Sequence, residues 1–198
     1  MYDYRKMSKE EKIQVLLGRK SLGYPLHAPP HIRYTEGDFL ITAACYEHRR
    51  IFDTPEELNW LTEQLLTVFT TAKWPCIAWV VLPNHYHALL RLPGLESASE
   101  IIRKAHSSIS TAINGRQRAR GRQVWYRFAD KLMTSERHLL ATINYIHNNP
   151  KKHQYVNEMG EWPWSSYHDY LDKFGEAYMM NLWGLYPVYD YGAKWDIY

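Results

Sequence analysis

Only two cysteines, Cys45 and Cys76, occur in the 198 residues, too few for a disulfide-stapled scaffold. Both are expected to be structural thiols in a reducing cytoplasm. No apolar stretch approaches the roughly 18 residues of a membrane span. The opening M-Y-D-Y-R-K-M-S-K-E-E-K is too charged for a secretory signal. Internal repeats and long low-complexity tracts are also missing. With 45% hydrophobic and 23% charged residues, the chain reads as a soluble globular domain with extensions. Acids are absent from Ile101 to Ala129, where seven bases occur: Arg103, Lys104, Arg116, Arg118, Arg120, Arg122 and Arg127. The remaining residues hold 17 bases against 21 acids, so the net charge of +3 hides a local excess suited to a polyanion. Residues 154–198 are the opposite, with seven acids, two lysines and 13 of the 29 aromatic residues.

Ser8-Lys9-Glu10-Glu11 has capping-box spacing ahead of Ile13, Val15, Leu16 and Leu17, which predicts a short helix ending near Gly18. Tyr24 to His31, Y-P-L-H-A-P-P-H, predicts an extended arm. Asp38 to Tyr46 has strand composition. Thr54-Pro55-Glu56-Glu57 offers a cap and a first turn for a helix whose Leu58, Leu61, Leu65, Leu66 and Phe69 share one face. Cys76 to Leu92 reads as a β-hairpin broken at Leu82-Pro83-Asn84. A helix over Ser97 to Ile113, a mobile arginine-rich loop over Asn114 to Gln123, and a helix from about Ser135 to His147 stopped at Pro150 complete the pattern. The order predicts an α+β fold with helices on one face of an antiparallel sheet.

Two places carry chemistry. His85 and His87 flank Tyr86 at the start of the second hairpin strand, so the two imidazoles point to one face and the phenol to the other. Two neutral imidazoles suit one divalent ion. The same triplet also fits two partly exposed histidines beside a turn. Tyr145 and Asn149 lie one helical turn apart and can address one spot. Pro150 is expected to push Asn149 out of the α region, to the fraying end of the helix. In the alternative, Tyr145 packs in the core and Asn149 caps the helix.

The stretches P-N-H-Y-H-A-L-L, V-W-Y-R-F-A-D, N-Y-I-H-N-N-P-K-K and W-P-W-S-S-Y follow one another in this chain. Together they make the region from about Phe39 to Tyr167 resemble the REP-associated tyrosine transposases, of the single-tyrosine branch of the HUH nucleases. That resemblance implies a ferredoxin-like sheet of the HUH type spanning residues 36–153, between an N-terminal helix and arm (1–35) and a C-terminal extension (154–198). It implies cleavage and rejoining of single-stranded DNA near hairpin, REP-like sequences, with Tyr145 forming a 5′-phosphotyrosine. By the same resemblance, His85, His87 and Asn149 hold a magnesium or manganese ion, and Tyr86 fills the hydrophobic slot. Tyr86 is more polar than the aliphatic residue often found there. Lys151 and Lys152 replace an aliphatic residue followed by one lysine.

DNA is expected to meet Arg103, Lys104, Arg116, Arg118, Arg120 and Arg122 through phosphates. Trp125 and Tyr126 are candidates for stacking on bases, although Trp125 and Phe128 also suit the core. The expected partner is hairpin-bearing single-stranded DNA, with the protein a monomer or homodimer away from membranes. An acidic, aromatic tail near the basic loop would compete with DNA. Two other readings fit parts of the pattern: a DNA or RNA binding module that does not cut, and an unrelated metallohydrolase using H-x-H.

Overall fold

The computed structural model describes residues 36–188, Ser8 and Tyr191, within the unit Thr35–Tyr198 apart from Ser8. The helix expected after Ser8 and the proline-rich arm lie outside the described residues. Four strands form one antiparallel sheet: β1 Gly37–Ala44, β2 Cys76–Leu82, β3 His85–Leu92 and β4 Ala129–Leu132, in the order β2-β3-β1-β4. Helix α1, Pro55–Thr71, connects β1 to β2, and α2, Leu95–Arg116, connects β3 to β4. This is the ferredoxin-like arrangement.

The hairpin is as tight as its sequence suggests. Leu82 pairs with His85, leaving Pro83 and Asn84 as the turn. Two neighbours pin that turn: Cys45 N–H donates to the Asn84 carbonyl at 2.7 Å and Phe52 N–H to the Pro83 carbonyl at 3.0 Å. A one-residue slip would exchange the faces of Tyr86 and the two histidines, so these bonds protect the chemistry as well as the fold.

Helix α1 begins in a capping box, with Thr54 accepting from Glu57 N–H and Glu57 returning to the Thr54 backbone, and with Pro55 in its first turn. Its buried Leu58, Leu61, Leu65 and Phe69 form the expected stripe. Helix α2 packs beside α1 and buries Ala98, Ile102, His106, Ile109 and Ile113. Tyr86 lies on the face that α2 covers, its hydroxyl 2.8 Å from His106 Nε2. Fully buried Phe39, Leu40, Ile41, Leu61, Leu82, Leu89 and Ile102 anchor the core, each contributing about 1.5 to 3 kcal/mol by leaving water. Cys45 and Cys76 are free thiols there, and burial pushes both up to about 12.

The other sheet face is covered by α3, Glu136–Lys152, so helices flank the sheet on both sides instead of one. Contrary to the expected stop, α3 runs through Pro150. A proline removes one donor, and the last turn closes around that gap: His153 N–H reaches the Asn149 carbonyl at 3.0 Å. Asn149 is therefore helical and fully buried, not frayed.

Residues after α3 wrap the body. Val81 N–H donates to the Trp164 carbonyl and Ser166 N–H to the Trp79 carbonyl, so W-P-W-S-S lies along the outer edge of β2 like a short strand. Helix α4, Tyr167–Phe174, follows and sends the Tyr170 hydroxyl to the Ile77 carbonyl at 2.8 Å. Helix α5, Glu176–Leu185, packs on α3, where the Asn144 amide donates to the carbonyls of Leu182 and Tyr186 at 2.9 Å each. Among the described residues no helix is long and apolar enough to cross a membrane.

Candidate active site

Strand alternation on β3 sends His85 and His87 together toward α3. Tyr145 and Asn149, one turn apart on α3, meet them. His87 Nε2 lies 3.3 Å from the Tyr145 hydroxyl, with the two rings edge to face at 5.1 Å. His85 Nε2 lies 3.0 Å from Asn149 Oδ1. The two imidazole centroids are 5.0 Å apart. Two ring nitrogens, one amide oxygen and one phenol thus converge on a single buried spot. His85, His87 and Asn149 are the residues that could hold a divalent cation there. No cluster of three His, Cys, Asp or Glu side chains with metal-binding geometry exists among the described residues, and the third polar atom beside the two imidazoles is the Asn149 amide oxygen.

Several neighbours were not singled out in the sequence. Asn84 Oδ1 is 2.7 Å from His85 Nδ1, and Thr42 Oγ1 is 2.8 Å from His87 Nδ1. The His153 ring stands 5.0 Å from that of His85. The Lys152 ammonium lies 5.1 Å from the Tyr145 ring centre, whereas Lys151 pairs with Glu158 at 3.1 Å. On the far side of Tyr145 the ring of Tyr191 packs at 5.6 Å, and its hydroxyl bonds to that of Thr142. Tyr145 is 1% exposed under this cover. Asn84 had looked like turn material only, and the spacing of Lys152 on the Tyr145 face was the one available signal for that residue.

The basic segment divides on inspection. Arg118 and Arg120 are exposed, Arg118 and Gly121 having φ of 52° and 82° in the turn after α2. Arg116 lies over the Trp60 ring at 4.3 Å, and Lys104 pairs with Glu100 at 2.8 Å on the exposed side of α2, where Arg103 is also exposed. Arg122 is different, because it clamps the loop: its guanidinium donates to Asn114 Oδ1 at 2.9 Å and to Gln117 Oε1 at 2.6 Å, while its carbonyl accepts from Asn114. The phosphate contact expected at Arg122 thus falls on a half-buried side chain already engaged in holding the loop, which is tied instead of open. The base-stacking role expected of Trp125 is corrected. It is 8% exposed and stacked between Phe52 and His106, so it has no face left for a base. Phe128 packs against the same core. Tyr126, half-buried, packs against Tyr46 with ring centroids 5.0 Å apart and the rings tilted. The segment holding it runs beside the active-site end of β1, with Tyr126 N–H donating to the Ala44 carbonyl at 2.9 Å.

No protein-family model matches the chain. A REP-associated tyrosine transposase of Haemophilus influenzae is 30% identical over 131 residues, covering 61% of this chain and 72% of that protein. One from Escherichia coli K12 is 28% identical over 113 residues, covering 56% of this chain and 59% of the relative. A solved structure of a REP-associated tyrosine transposase bound to a REP hairpin superposes with a TM-score of 0.58 at 22% identity, covering 72% of this chain and 83% of the other. The shared fold and the extent of the sequence match agree: the chain belongs to the REP-associated tyrosine transposase family.

Proposed function

We propose that this protein is a metal-dependent transposase that cleaves and rejoins single-stranded DNA beside hairpin, REP-like sequences, with Tyr145 as nucleophile. The convergence of the Tyr145 hydroxyl with His87 Nε2, His85 Nε2 and Asn149 Oδ1, at 3.3 Å and 3.0 Å, carries this reading. In the reaction the Tyr145 oxygen forms a bond to phosphorus as the bond to the 3′ oxygen breaks. The phenol gives up one proton and the departing 3′ oxygen takes one up, so the 5′-phosphotyrosine conserves the bond for later joining.

A phenol with an ordinary pKa of about 10 is a weak nucleophile at neutral pH, so positive charge is needed near the phosphate. The donors fit a magnesium or manganese ion: neutral nitrogen and oxygen atoms, buried and aimed at one point. When bound, such an ion polarises the phosphate and offsets its developing charge. Asn149 and Tyr145 share one face of α3, which holds nucleophile and amide donor in fixed register. Arg118 and Arg120 would contact the DNA backbone, with Tyr126 beside the active-site end of β1 as the candidate for a base. Hairpin DNA as partner rests on the hairpin bound by the related structure. A cytoplasmic monomer or homodimer fits such a task.

The test is to incubate the protein with manganese and a hairpin-flanked single strand, then look for a covalent adduct on a denaturing gel. Wild type is expected to give the adduct and Tyr145→Phe none. Hairpin binding without any adduct would favour the non-cutting binding module instead.

A further inference from the structure

Each imidazole of the pair turns one ring nitrogen toward Tyr145 and Asn149 and the other away. Both of the nitrogens turned away are held. His85 Nδ1 is 2.7 Å from Asn84 Oδ1, and His87 Nδ1 is 2.8 Å from Thr42 Oγ1. The Asn84 amide has its own orientation set, because Nδ2 donates to the His48 carbonyl at 3.4 Å and leaves the oxygen facing His85. Both amide oxygens only accept and a neutral ring has one hydrogen to give, so the shorter contact, 2.7 Å at Nδ1 against 3.0 Å at Nε2, assigns the hydrogen to Nδ1 and leaves Nε2 its lone pair. That lone pair faces Asn149 Oδ1, a second acceptor, at 3.0 Å. Two acceptors face to face repel, and a cation between them reverses the sign.

The fold puts both groups there. Asn84 is the turn residue whose carbonyl is pinned by Cys45 N–H, and Thr42 is the direct partner of His87 in the β1–β3 register, on the same face. At His87 the Tyr145 hydroxyl, 3.3 Å from Nε2, can donate only if Nε2 is bare, which matches Thr42 accepting from Nδ1–H.

We propose that Asn84 and Thr42 are positioning residues for the metal pair: they hold His85 and His87 in the Nδ1–H tautomer and aim both Nε2 lone pairs at one point. This rests on the metal-binding reading given under Proposed function. Nitrogen-15 NMR of the metal-free protein reads the two tautomers directly, and electron paramagnetic resonance of free manganese reads affinity. Wild type is expected to show Nδ1–H at both rings. Asn84→Ala is expected to release the His85 tautomer and weaken manganese binding about ten- to a hundredfold, with Asn84→Asp, which still accepts the bond, restoring the tautomer. Thr42→Val should act likewise at His87, and Thr42→Ser should restore it. An Nε2–H tautomer at His85 in the wild-type protein overturns the proposal, and that measurement needs no variant to fold. Unchanged tautomer and affinity in Asn84→Ala also overturn it. Manganese uptake equal in wild type and His85→Ala would instead remove the metal reading underneath, a failure told apart because the wild-type tautomers would still stand as stated.

Discussion

Tyr145 and His87, 58 residues apart in the chain, face each other across the junction of sheet and helix with the phenolic oxygen 3.3 Å from Nε2. The proposed nucleophile is therefore part of the core and not a surface appendage. Tyr145→Phe removes one hydroxyl and keeps the ring that packs on His87 and Tyr191. Its urea denaturation midpoint should correspond to a change of about 1 kcal/mol or less. Adduct formation should vanish altogether.

Tyr191 covers the ring that meets a phosphate in the proposed reaction. This residue of the C-terminal extension lies against Tyr145 itself. Tyr191→Ala is expected to raise the rate of adduct formation several-fold while leaving affinity for a bare hairpin stem unchanged. Equal rates in quenched time courses would mean that Tyr191 packs there without gating access.

The two lysines after Pro150 should separate cleanly. Lys152 follows Tyr145 by two helical turns and holds its ammonium over the ring, whereas Lys151 is paired with Glu158 in solvent. A charged contact to phosphate is worth about 1.5 to 3 kcal/mol, so Lys152→Ala should slow cleavage about ten- to a hundredfold. Lys151→Ala should do little, because exposed pairs contribute only about 0 to 1 kcal/mol. Single-turnover rates on one substrate compare them.

Arg118 and Arg120 are exposed, and Arg122 is tied into Asn114 and Gln117. Replacing Arg118 and Arg120 with alanine should lower the slope of log affinity against log salt by about two. Arg122→Ala should instead cost about 1 kcal/mol of folding stability through lost hydrogen bonds. Salt titrations of binding and thermal melts together distinguish these roles.

Burial pushes the His106 imidazole down to about 4 from its ordinary 6.5. The unfolded chain therefore binds a proton that the folded one refuses between those values, and stability falls as pH drops from about 6.5 toward 4. The loss from this one group reaches about 3 kcal/mol at pH 4. His106→Gln should flatten that part of the pH profile, measured by urea unfolding.

Local rules carried the sequence reading far where local chemistry decides the outcome. Pro83-Asn84 marks a turn because proline does not sit comfortably in a central strand, and Thr54 to Glu57 marks a helix start because it offers a cap, a first-turn proline and two acids. The face shared by His85 and His87 follows from strand period alone. What stayed hidden depends on contacts between distant segments. Thr42 reaches His87 only through the β1–β3 register, and Tyr191 meets Tyr145 from a segment far along the chain that also bonds to Thr142. Pro150 misled in the other direction, since a preference of one dipeptide gave way to a helix packed on two sides. The arginine cluster looked uniform as text, yet two amide side chains convert one of its members into a clasp.

W-P-W-S-S closes the outer flank of β2, with the Ser166 side chain meeting Trp79 N–H across 87 residues of chain. During synthesis the hairpin that bears His85 and His87 emerges long before this seal does, and an uncovered sheet edge is a template for pairing with another molecule. Any shortening of the tail that stops before Ser166 thus exchanges a closed flank for an adhesive one. Lost activity in so short a chain would report on clumping and not on the chemistry of Tyr145.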